Sequence, residues 1–96
     1  MINVNFEFRH NNLSLIELHA IGIRHTKDIE ETILGDSYWE IIEDNENHLY
    51  FATGFSKNVI GIVVAFTINE AMVITTLQAK RASIYEIKKY FCKYCK

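Results

Sequence analysis

The fold is decided by residues 50–81, which read YFATGFSKNVIGIVVAFTINEAMVITTLQAKR. The run from Val59 to Ile68 is apolar at both of its alternating sets of positions, which predicts a central strand buried on both faces. Polar, Asn-containing connections on either side are typical of hairpins, so the stretch predicts three consecutive antiparallel strands. The last of them ends on Lys80 and Arg81, two cations at the end of an otherwise uncharged run.

A strand and two helices are predicted before this stretch. Residues 2–8 alternate apolar and polar side chains, which indicates a half-exposed edge strand. Ser14 opens a capping-box pattern for a first helix, and Gly22 can take the left-handed conformation that ends it. Thr26 is the expected cap of a second helix, which Gly35 closes.

Another hairpin and a final helix complete the predicted order. Residues 38–42 and 48–51 have strand composition and flank an Asn- and acid-rich turn at 44–47. Beyond the basic pair, Ser83 and Glu86 form a second capping-box pattern, which predicts a third helix. The chain is therefore predicted to be a single α+β domain over all 96 residues. The expected order is β-α-α-β-β-β-β-α, with the helices on one face of a mostly antiparallel sheet.

Composition indicates a globular protein, because 49% of the residues are hydrophobic. No apolar run approaches the roughly 20 residues that cross a bilayer, and the chain does not open with the pattern of a secretory signal. These features predict a cytoplasmic protein without a membrane partner. A domain of this size has little surplus stability, which leaves self-association as a homodimer open.

The charge is distributed unevenly along the chain. The net charge is −2, but residues 80–96 hold six cations and one acid, so that this end carries +5 and the remainder −7. A basic end on an acidic body predicts a local anion-binding face. A solvated lysine face on a terminal helix would give the same pattern.

The quoted stretch resembles the BrnT toxins, which belong to the RelE-like group of type II toxin–antitoxin systems. The matching pattern is a strand at 50–55 (YFATGF), an apolar strand that ends VVAFT at 63–67, and a strand that ends TTLQAKRA at 75–82. A helix with Glu86 and Tyr90 follows at the corresponding place.

The resemblance covers residues 6–90 and implies a metal-independent endoribonuclease that is neutralised by an antitoxin with a ribbon-helix-helix element. Three departures accompany it. Ile21-Gly22 stands where the family has a His-Gly pair, with His25 displaced beyond it. Gln78 replaces a serine, and the family's Arg-Lys order is reversed in Lys80-Arg81.

Cleavage of RNA by its own 2′-hydroxyl requires a base for that hydroxyl, positive charge for the phosphorane and an acid for the leaving 5′-oxygen. Lys80 and Arg81 are the predicted phosphate-binding residues of the catalytic site. Arg81 is preferred for its planar, forked guanidinium. Neighbouring strand residues point to opposite faces, so only a break in the strand would aim both side chains at one phosphate.

Proton transfer is assigned to imidazoles that lie beside a second phosphate-binding group. The predicted catalytic pairs are Arg24 with His25 and Arg9 with His10, because imidazole titrates near neutral pH. The alternative for each is a surface histidine without a task. His19, placed on a helix, is expected to be ordinary.

The last helix carries the remaining candidates. Lys88 and Lys89 are predicted to contact RNA, and the antitoxin is expected to present acids toward this basic end. Cys92 and Cys95 form a CxxC at the end of a helix, where the dipole disfavours thiolate, and no second pair of cysteines exists. The sequence therefore predicts no metal site and no cofactor.

A rival interpretation belongs to a different class of protein. A catalytically inactive relative, acting as a protein-binding module, would use an exposed sheet edge and the basic helix to bind an antitoxin or another partner. A helix-turn-helix regulator is disfavoured, because no helix is followed at short distance by a basic recognition helix.

Overall fold

Eight elements follow one another in the computed structural model, which describes residues 6–10, 13–43, 48–56 and 60–92. They are β1 (Glu7–Arg9), α1 (Leu15–Ala20), α2 (Thr26–Leu34), β2 (Ser37–Glu43), β3 (His48–Phe55), β4 (Gly61–Ile68), β5 (Val73–Arg81) and α3 (Ile84–Cys92). The predicted turn at 44–47, residues 2–5 of the predicted edge strand, Val59 and Cys95 lie outside the described residues.

The strands form one five-stranded sheet in the spatial order β1-β5-β4-β3-β2. The last four strands are a meander of antiparallel pairs, whereas β1 pairs with β5 in parallel. The order in space thus differs from the order along the chain, because the first strand joins the outer side of the last one. The predicted α+β class and the mostly antiparallel sheet are confirmed.

The central strand β4 is buried on both sides, as predicted. Ile62, Val64 and Phe66 are each 0% exposed on one face, and Val63 and Ala65 are 3% and 9% exposed on the other. In the sheet β4 lies between β3 and β5, and its continuous apolar run is typical of a strand that is covered on both faces.

The helices α1 and α2 cover one face of the sheet, which we call the core face. Each large aliphatic side chain buried there contributes about 1.5–3 kcal/mol. The buried cluster is made of Leu18, Ile23, Ile29 and Ile33 from the helical layer and of Ala52, Ile62, Val64, Phe66 and Ile74 from the sheet.

Helix α3 lies against the opposite face, so the prediction that all helices share one face is wrong. The chain leaves β5 at Arg81, and the next residue, Ala82, still donates a backbone hydrogen bond to Gly61 at 2.9 Å. Gly61 has no side chain, and a Cβ built there would be 3.3 Å from Cδ1 of Ile87 in α3. The helix therefore settles against the end of β4 and leaves an open groove on the rest of this face.

Strand β5 contains one extra residue that sets the direction of its side chains. Phe66 of β4 pairs with Thr76, but Ala65 pairs with Gln78, so Leu77 has no partner in the ladder. Such a bulge reverses the alternation beyond it. Arg81, which pairs with Ile62, consequently points to the core face, and Lys80 points to the groove.

The predicted capping box of α3 is confirmed, whereas at α1 the position of the cap is confirmed and its side-chain hydrogen bond is not. The Ser83 N–H donates to Oε1 of Glu86 at 2.9 Å, and the Glu86 N–H donates to Oγ of Ser83 at 3.2 Å. Ser14 does precede α1, but its side chain makes no capping bond. This six-residue helix is stabilised by the packing of the buried Leu18, so it does not depend on a capping hydrogen bond.

Helix α2 differs from the prediction at its N-terminal end and agrees with it at its C-terminal end. Thr26 is the first residue of the helix, and the residue with extended backbone at the cap is His25. Gly35 is the C-cap and donates a backbone hydrogen bond to Glu31 at 2.9 Å, as expected for the end of this helix. Gly22, beyond α1, has the predicted left-handed conformation with φ +92°.

Candidate functional site

A cleft of about 510 Å³ lies at the connection between α1 and α2. Its floor is fixed by Ile23, which is 1% exposed and donates a backbone hydrogen bond to Leu18 at 2.8 Å. The left-handed Gly22 turns the chain there, so the residues on either side of Ile23 are held at the surface. The lining residues are His19, Gly22, Ile23, Arg24 and His25.

Two imidazoles belong to this cleft. Nε2 of His19 lies 3.3 Å from the Arg24 carbonyl oxygen. A carbonyl only accepts, so Nε2 is the donor and the neutral ring keeps a free lone pair on Nδ1. His25 is exposed, and its side chain makes no hydrogen bond to another described residue. The cleft thus offers one imidazole that is oriented as a base and a second that is free to donate.

Arg81 brings a second guanidinium to the same connection. Its Nε donates to the Ile21 carbonyl oxygen at 3.3 Å, and one terminal nitrogen lies 3.7 Å from the position of a Cβ on Gly22. The predicted residues Arg24 and His25 therefore line one cleft, and the guanidinium of Arg81 lies beside Gly22, which also lines it. We call this group, with His19, the loop cleft.

Lys80 is not part of the loop cleft. It lines a groove of about 340 Å³ on the other face of the sheet. There its ammonium is 3.8 Å from Oε2 of Glu86. Burial of the Glu86 carboxylate opposes its ionisation, but hydrogen bonds from Ser83 and the charge of Lys80 outweigh this and hold the pKa of Glu86 below its usual range. The basic pair is split between two faces and cannot bind a single phosphate.

The two predicted RNA contacts on α3 have different surroundings. Lys89 lines the groove, where its ammonium donates to Oε1 of Glu40 at 3.3 Å and lies 4.9 Å from the centre of the Tyr85 ring. The hydrogen bond to Glu40 raises the pKa of Lys89. Lys88 is exposed and forms no ion pair with a described residue. The positive and negative charges of the groove therefore balance, whereas Lys88 remains available to contact an anion.

The predicted pair Arg9 and His10 lies apart from the loop cleft. His10 is 14% exposed at its side chain and joins three elements: its Nδ1 is 2.7 Å from Oγ1 of Thr76, and its Nε2 is 2.9 Å from Oε2 of Glu30. The Thr76 hydroxyl, itself in a residue 0% exposed, also lies 3.3 Å from the Arg9 carbonyl oxygen.

Donor and acceptor roles in this network can be assigned for both forms of the ring. A carboxylate at Nε2 requires a hydrogen on that nitrogen. A neutral His10 then accepts the Thr76 hydroxyl at Nδ1, whereas a charged ring donates at both nitrogens and Thr76 donates to Arg9. Both forms are fully hydrogen-bonded, which gives His10 a clear structural task between β1, α2 and β5.

His19 is the cleft residue that the sequence interpretation missed. A signal for it exists in the segment HAIGIRH at 19–25, in which two imidazoles and a guanidinium flank an apolar residue and a glycine. A helix that ends within this segment must bring its last side chains beside the following loop. Helix α1 has a single buried residue, Leu18, so its apolar pattern alone could not show that His19 lies beside the loop.

No group of three or more His, Cys, Asp or Glu side chains that could hold a metal ion occurs among the described residues. Within the same residues, no helix has the length and apolar character needed to cross a membrane.

The sequence matches no known family model, and no curated protein is similar to it at a significant level.

Proposed function

We propose that the protein is a toxin-like, metal-independent endoribonuclease whose reaction takes place in the loop cleft. The observation that carries this proposal is the convergence of two imidazoles, His19 and His25, with the guanidinium of Arg24 in one cleft, beside which Arg81 is hydrogen-bonded to Ile21. These are the side chains that transphosphorylation of RNA requires, two for proton transfer and two for the charge of the phosphorane.

The roles follow from the hydrogen bonds. His19 donates from Nε2 to the Arg24 carbonyl, so its Nδ1 is the base that takes the proton of the 2′-hydroxyl. The 2′-oxygen attacks phosphorus, and the bond to the 5′-oxygen breaks as protonated His25 gives that oxygen its proton. The products are a 2′,3′-cyclic phosphate and a 5′-hydroxyl. Product release leaves His19 protonated and His25 neutral, and exchange with water restores both.

The positive charge at the site has two sources. The guanidiniums of Arg24 and Arg81 have the planar geometry that matches phosphate oxygens. The first turn of α2 begins directly after His25, and the free amides of a helix N-terminus favour an anion. Charge stabilisation can thus come from the chain itself.

An antitoxin of the ribbon-helix-helix type would silence such an enzyme by covering the loop cleft. Lys80 and Lys89 are already paired with Glu86 and Glu40, so they have less to gain from acids of a partner. Arg24, Arg81 and Lys88 are therefore the cations that we expect an antitoxin to neutralise.

The same ion pairs favour a second candidate function. A groove in which each lysine has an acid suits a protein surface better than an RNA backbone, since phosphate contacts need unpaired cations. This supports a catalytically inactive protein-binding module as the alternative.

Cleavage of a labelled single-stranded RNA in the presence of EDTA tests the proposal. We expect cyclic-phosphate products from the wild-type protein and a loss of at least about 100-fold in His19→Ala and His25→Ala, the range of general acid–base catalysis. His48→Ala, which removes an exposed imidazole at the start of β3, is the matched control and should cleave normally.

The pH dependence of the cleavage rate distinguishes a catalytic role of the two histidines from a structural one. A base and an acid together produce a bell-shaped rate profile, and each single variant should lose one limb of it. Equal cleavage by the wild type and both cleft variants would refute the site. Absence of cleavage by the wild type, with retained binding of a protein partner, would favour the binding module.

A further inference from the structure

The groove between α3 and the sheet contains two aromatic rings that do not contact each other. Phe51, on β3, and Tyr85, in the first turn of α3, both line this cavity of about 340 Å³. Neither ring contacts another aromatic ring among the described residues. On the core face, by contrast, Trp39, Tyr50 and Phe66 contact one another with ring centres 5.1 to 6.0 Å apart. The groove therefore has two rings that are free to pack against a third.

The floor of the groove contains a buried hydroxyl that has no partner. Thr53 lies two positions after Phe51 in β3, so both side chains are on the groove face. Thr53 is 6% exposed, and its hydroxyl makes no hydrogen bond to another described residue. All fully shielded side-chain oxygens and nitrogens of the described residues do have a partner, so the Thr53 oxygen is reached from the groove. A buried polar group without a partner is costly, and a polar atom of a ligand would satisfy it.

The charged residues of the groove are paired with one another. The Lys80 ammonium is 3.8 Å from Oε2 of Glu86, and Lys89 donates to Oε1 of Glu40 at 3.3 Å. An ion that entered the groove would have to replace one of these contacts, whereas an uncharged molecule leaves both in place. The groove therefore favours a neutral ligand that forms its hydrogen bonds with uncharged groups.

The size of the groove suits one molecule with a small ring system. Sites for small molecules measure about 300–1,000 Å³ and are lined mainly by apolar side chains with a few polar groups. The groove is at the lower end of this range, and its apolar floor continues from Val63 to Ala65, which are 3% and 9% exposed. The amide of Gln78, at the far end, adds one acceptor and two donors.

The wall that carries Tyr85 is ordered before any ligand binds. The capping box of Ser83 and Glu86 fixes the first turn of α3. The Lys89 ammonium, which is bonded to Glu40, lies 4.9 Å from the centre of the Tyr85 ring. A ligand would thus meet a preformed surface, and the protein loses little freedom on binding.

We propose that the groove binds an uncharged, planar heteroaromatic molecule with the chemistry of a purine base, which stacks on Phe51 and Tyr85 and forms a hydrogen bond with the hydroxyl of Thr53. A purine has a flat π-system for the rings and donors and acceptors along its edge. The same chemistry is present in a free purine nucleoside and in an unstacked base of single-stranded RNA. The proposal is independent of the ribonuclease function, because the groove shares no residue with the loop cleft.

The test uses the riboside of 2-aminopurine, a purine whose fluorescence is quenched when it stacks on an aromatic ring. We expect saturable quenching by the wild-type protein at or below millimolar concentration, and adenosine should compete for the site. Tyr85→Ala and Phe51→Ala should each weaken binding at least about tenfold, because stacking is the main contact. Tyr85→Phe, which keeps the ring, should bind within about twofold of the wild type.

Matched variants distinguish the groove from the rest of the surface. Ile84→Ala, next to Tyr85 but 75% exposed and outside the groove lining, should bind normally. Thr53→Val keeps the shape of the side chain, removes the hydroxyl and should weaken binding at least about threefold. Thr67→Val, on β4 and outside the groove lining, should not. Tyr85 is 68% exposed, so its replacement tests the site without disturbing the core.

A second probe identifies the source of the base. A trinucleotide with 2-aminopurine between two uridines presents the same ring within a strand. We expect the riboside to bind at least as tightly, because both lysines of the groove are paired and have little to offer a phosphate. Tighter binding of the trinucleotide, weakened by Tyr85→Ala, would support the same purine site and assign it to RNA.

Three results would overturn the proposal. The first is an absence of quenching at millimolar riboside. The second is quenching that Tyr85→Ala and Thr53→Val leave unchanged, which would place the purine elsewhere on the protein. The third is binding of the riboside that weakens as the salt concentration rises, because a neutral ligand in a groove of paired charges should be insensitive to screening.

Discussion

Arg81 donates a hydrogen bond from Nε to the carbonyl oxygen of Ile21, 3.3 Å away, and so joins the last residue of β5 to the connection between α1 and α2. The bond holds the guanidinium beside Gly22, which lines the same cleft as Arg24 and His25. Its neighbour Lys80 is aimed across the sheet toward Glu86. The two adjacent cations thus provide a natural comparison between the two faces.

Replacement of Arg81 by alanine should lower RNA cleavage and RNA binding at least about tenfold, as expected for a charged group at a phosphate. Lys80→Ala, the control on the other face, should leave both within about twofold. Both positions are exposed, and each substitution should change the free energy of unfolding by less than about 1 kcal/mol. A larger loss of cleavage in Lys80→Ala than in Arg81→Ala would move the reaction from the loop cleft to the groove.

The capping box of α3 should make stability depend on pH in the acid range. The pKa of Glu86 is lowered in the folded protein, so the unfolded chain binds the proton first as the pH falls. The stabilisation is therefore complete above the pKa of the unfolded state and is lost as the pH drops through the lower pKa of the folded state.

Glu86→Gln is the matched variant, because glutamine can keep the bond to the Ser83 N–H but does not titrate. Urea unfolding at pH 7, 5 and 3 should show the wild type more stable at pH 7 and the difference reduced at pH 3. A difference that stays constant across this range would mean that the Glu86 carboxylate does not contribute through its charge.

Gly22 should be intolerant of a side chain. Its φ of +92° is unfavourable for other residues, and an added Cβ would be 2.5 Å from Cδ1 of Ile60. Gly22→Ala should destabilise the protein by about 1–3 kcal/mol in chemical unfolding. In the background of Ile60→Ala the close contact is absent, so the difference between Ile60→Ala and the double variant measures the backbone conformation.

Thr76 should be important for stability through its hydroxyl. Thr76→Val keeps the volume but removes the partner of His10 Nδ1, which is 2.7 Å away in a part-buried site. An unsatisfied buried polar group costs about 1–3 kcal/mol. Thr75→Val, on the neighbouring and less buried residue, should change the free energy of unfolding by less than about 0.5 kcal/mol.

The sheet and its central strand were predictable, because a run such as Ile62 to Phe66 that is apolar at every position can only be buried on both sides. The parallel pairing of β1 with β5 was not, since Glu7 and Val73 are far apart in sequence and three residue pairs leave no local signal. The position of α3 depended on the missing side chain of Gly61, which a helix-periodic pattern does not reveal.

The site could be predicted only in part. Pairing an imidazole with a neighbouring cation selected Arg24 and His25, and the structure places both in one cleft. The same rule selected Arg9 and His10, but the imidazole there is bonded to Glu30 and Thr76 from distant parts of the chain. Local sequence shows which side chains are adjacent along the chain. It does not show which polar groups from distant parts of the chain form hydrogen bonds with them.

Because Leu77 has no partner in the ladder, counting alternate positions along β5 does not give the face of the sheet on which a later residue lies. Counting by twos from Ile74 would send Lys80 to the loop cleft and Arg81 to the groove. Deletion of Leu77 would remove only the extra residue, so we expect Arg81 to stay opposite Ile62 on the core face and Lys80 to stay opposite Val63 on the groove face. When this chain is compared with others, the residue equivalent to Arg81 is therefore the one that pairs with the residue equivalent to Ile62, whatever its position in a sequence alignment.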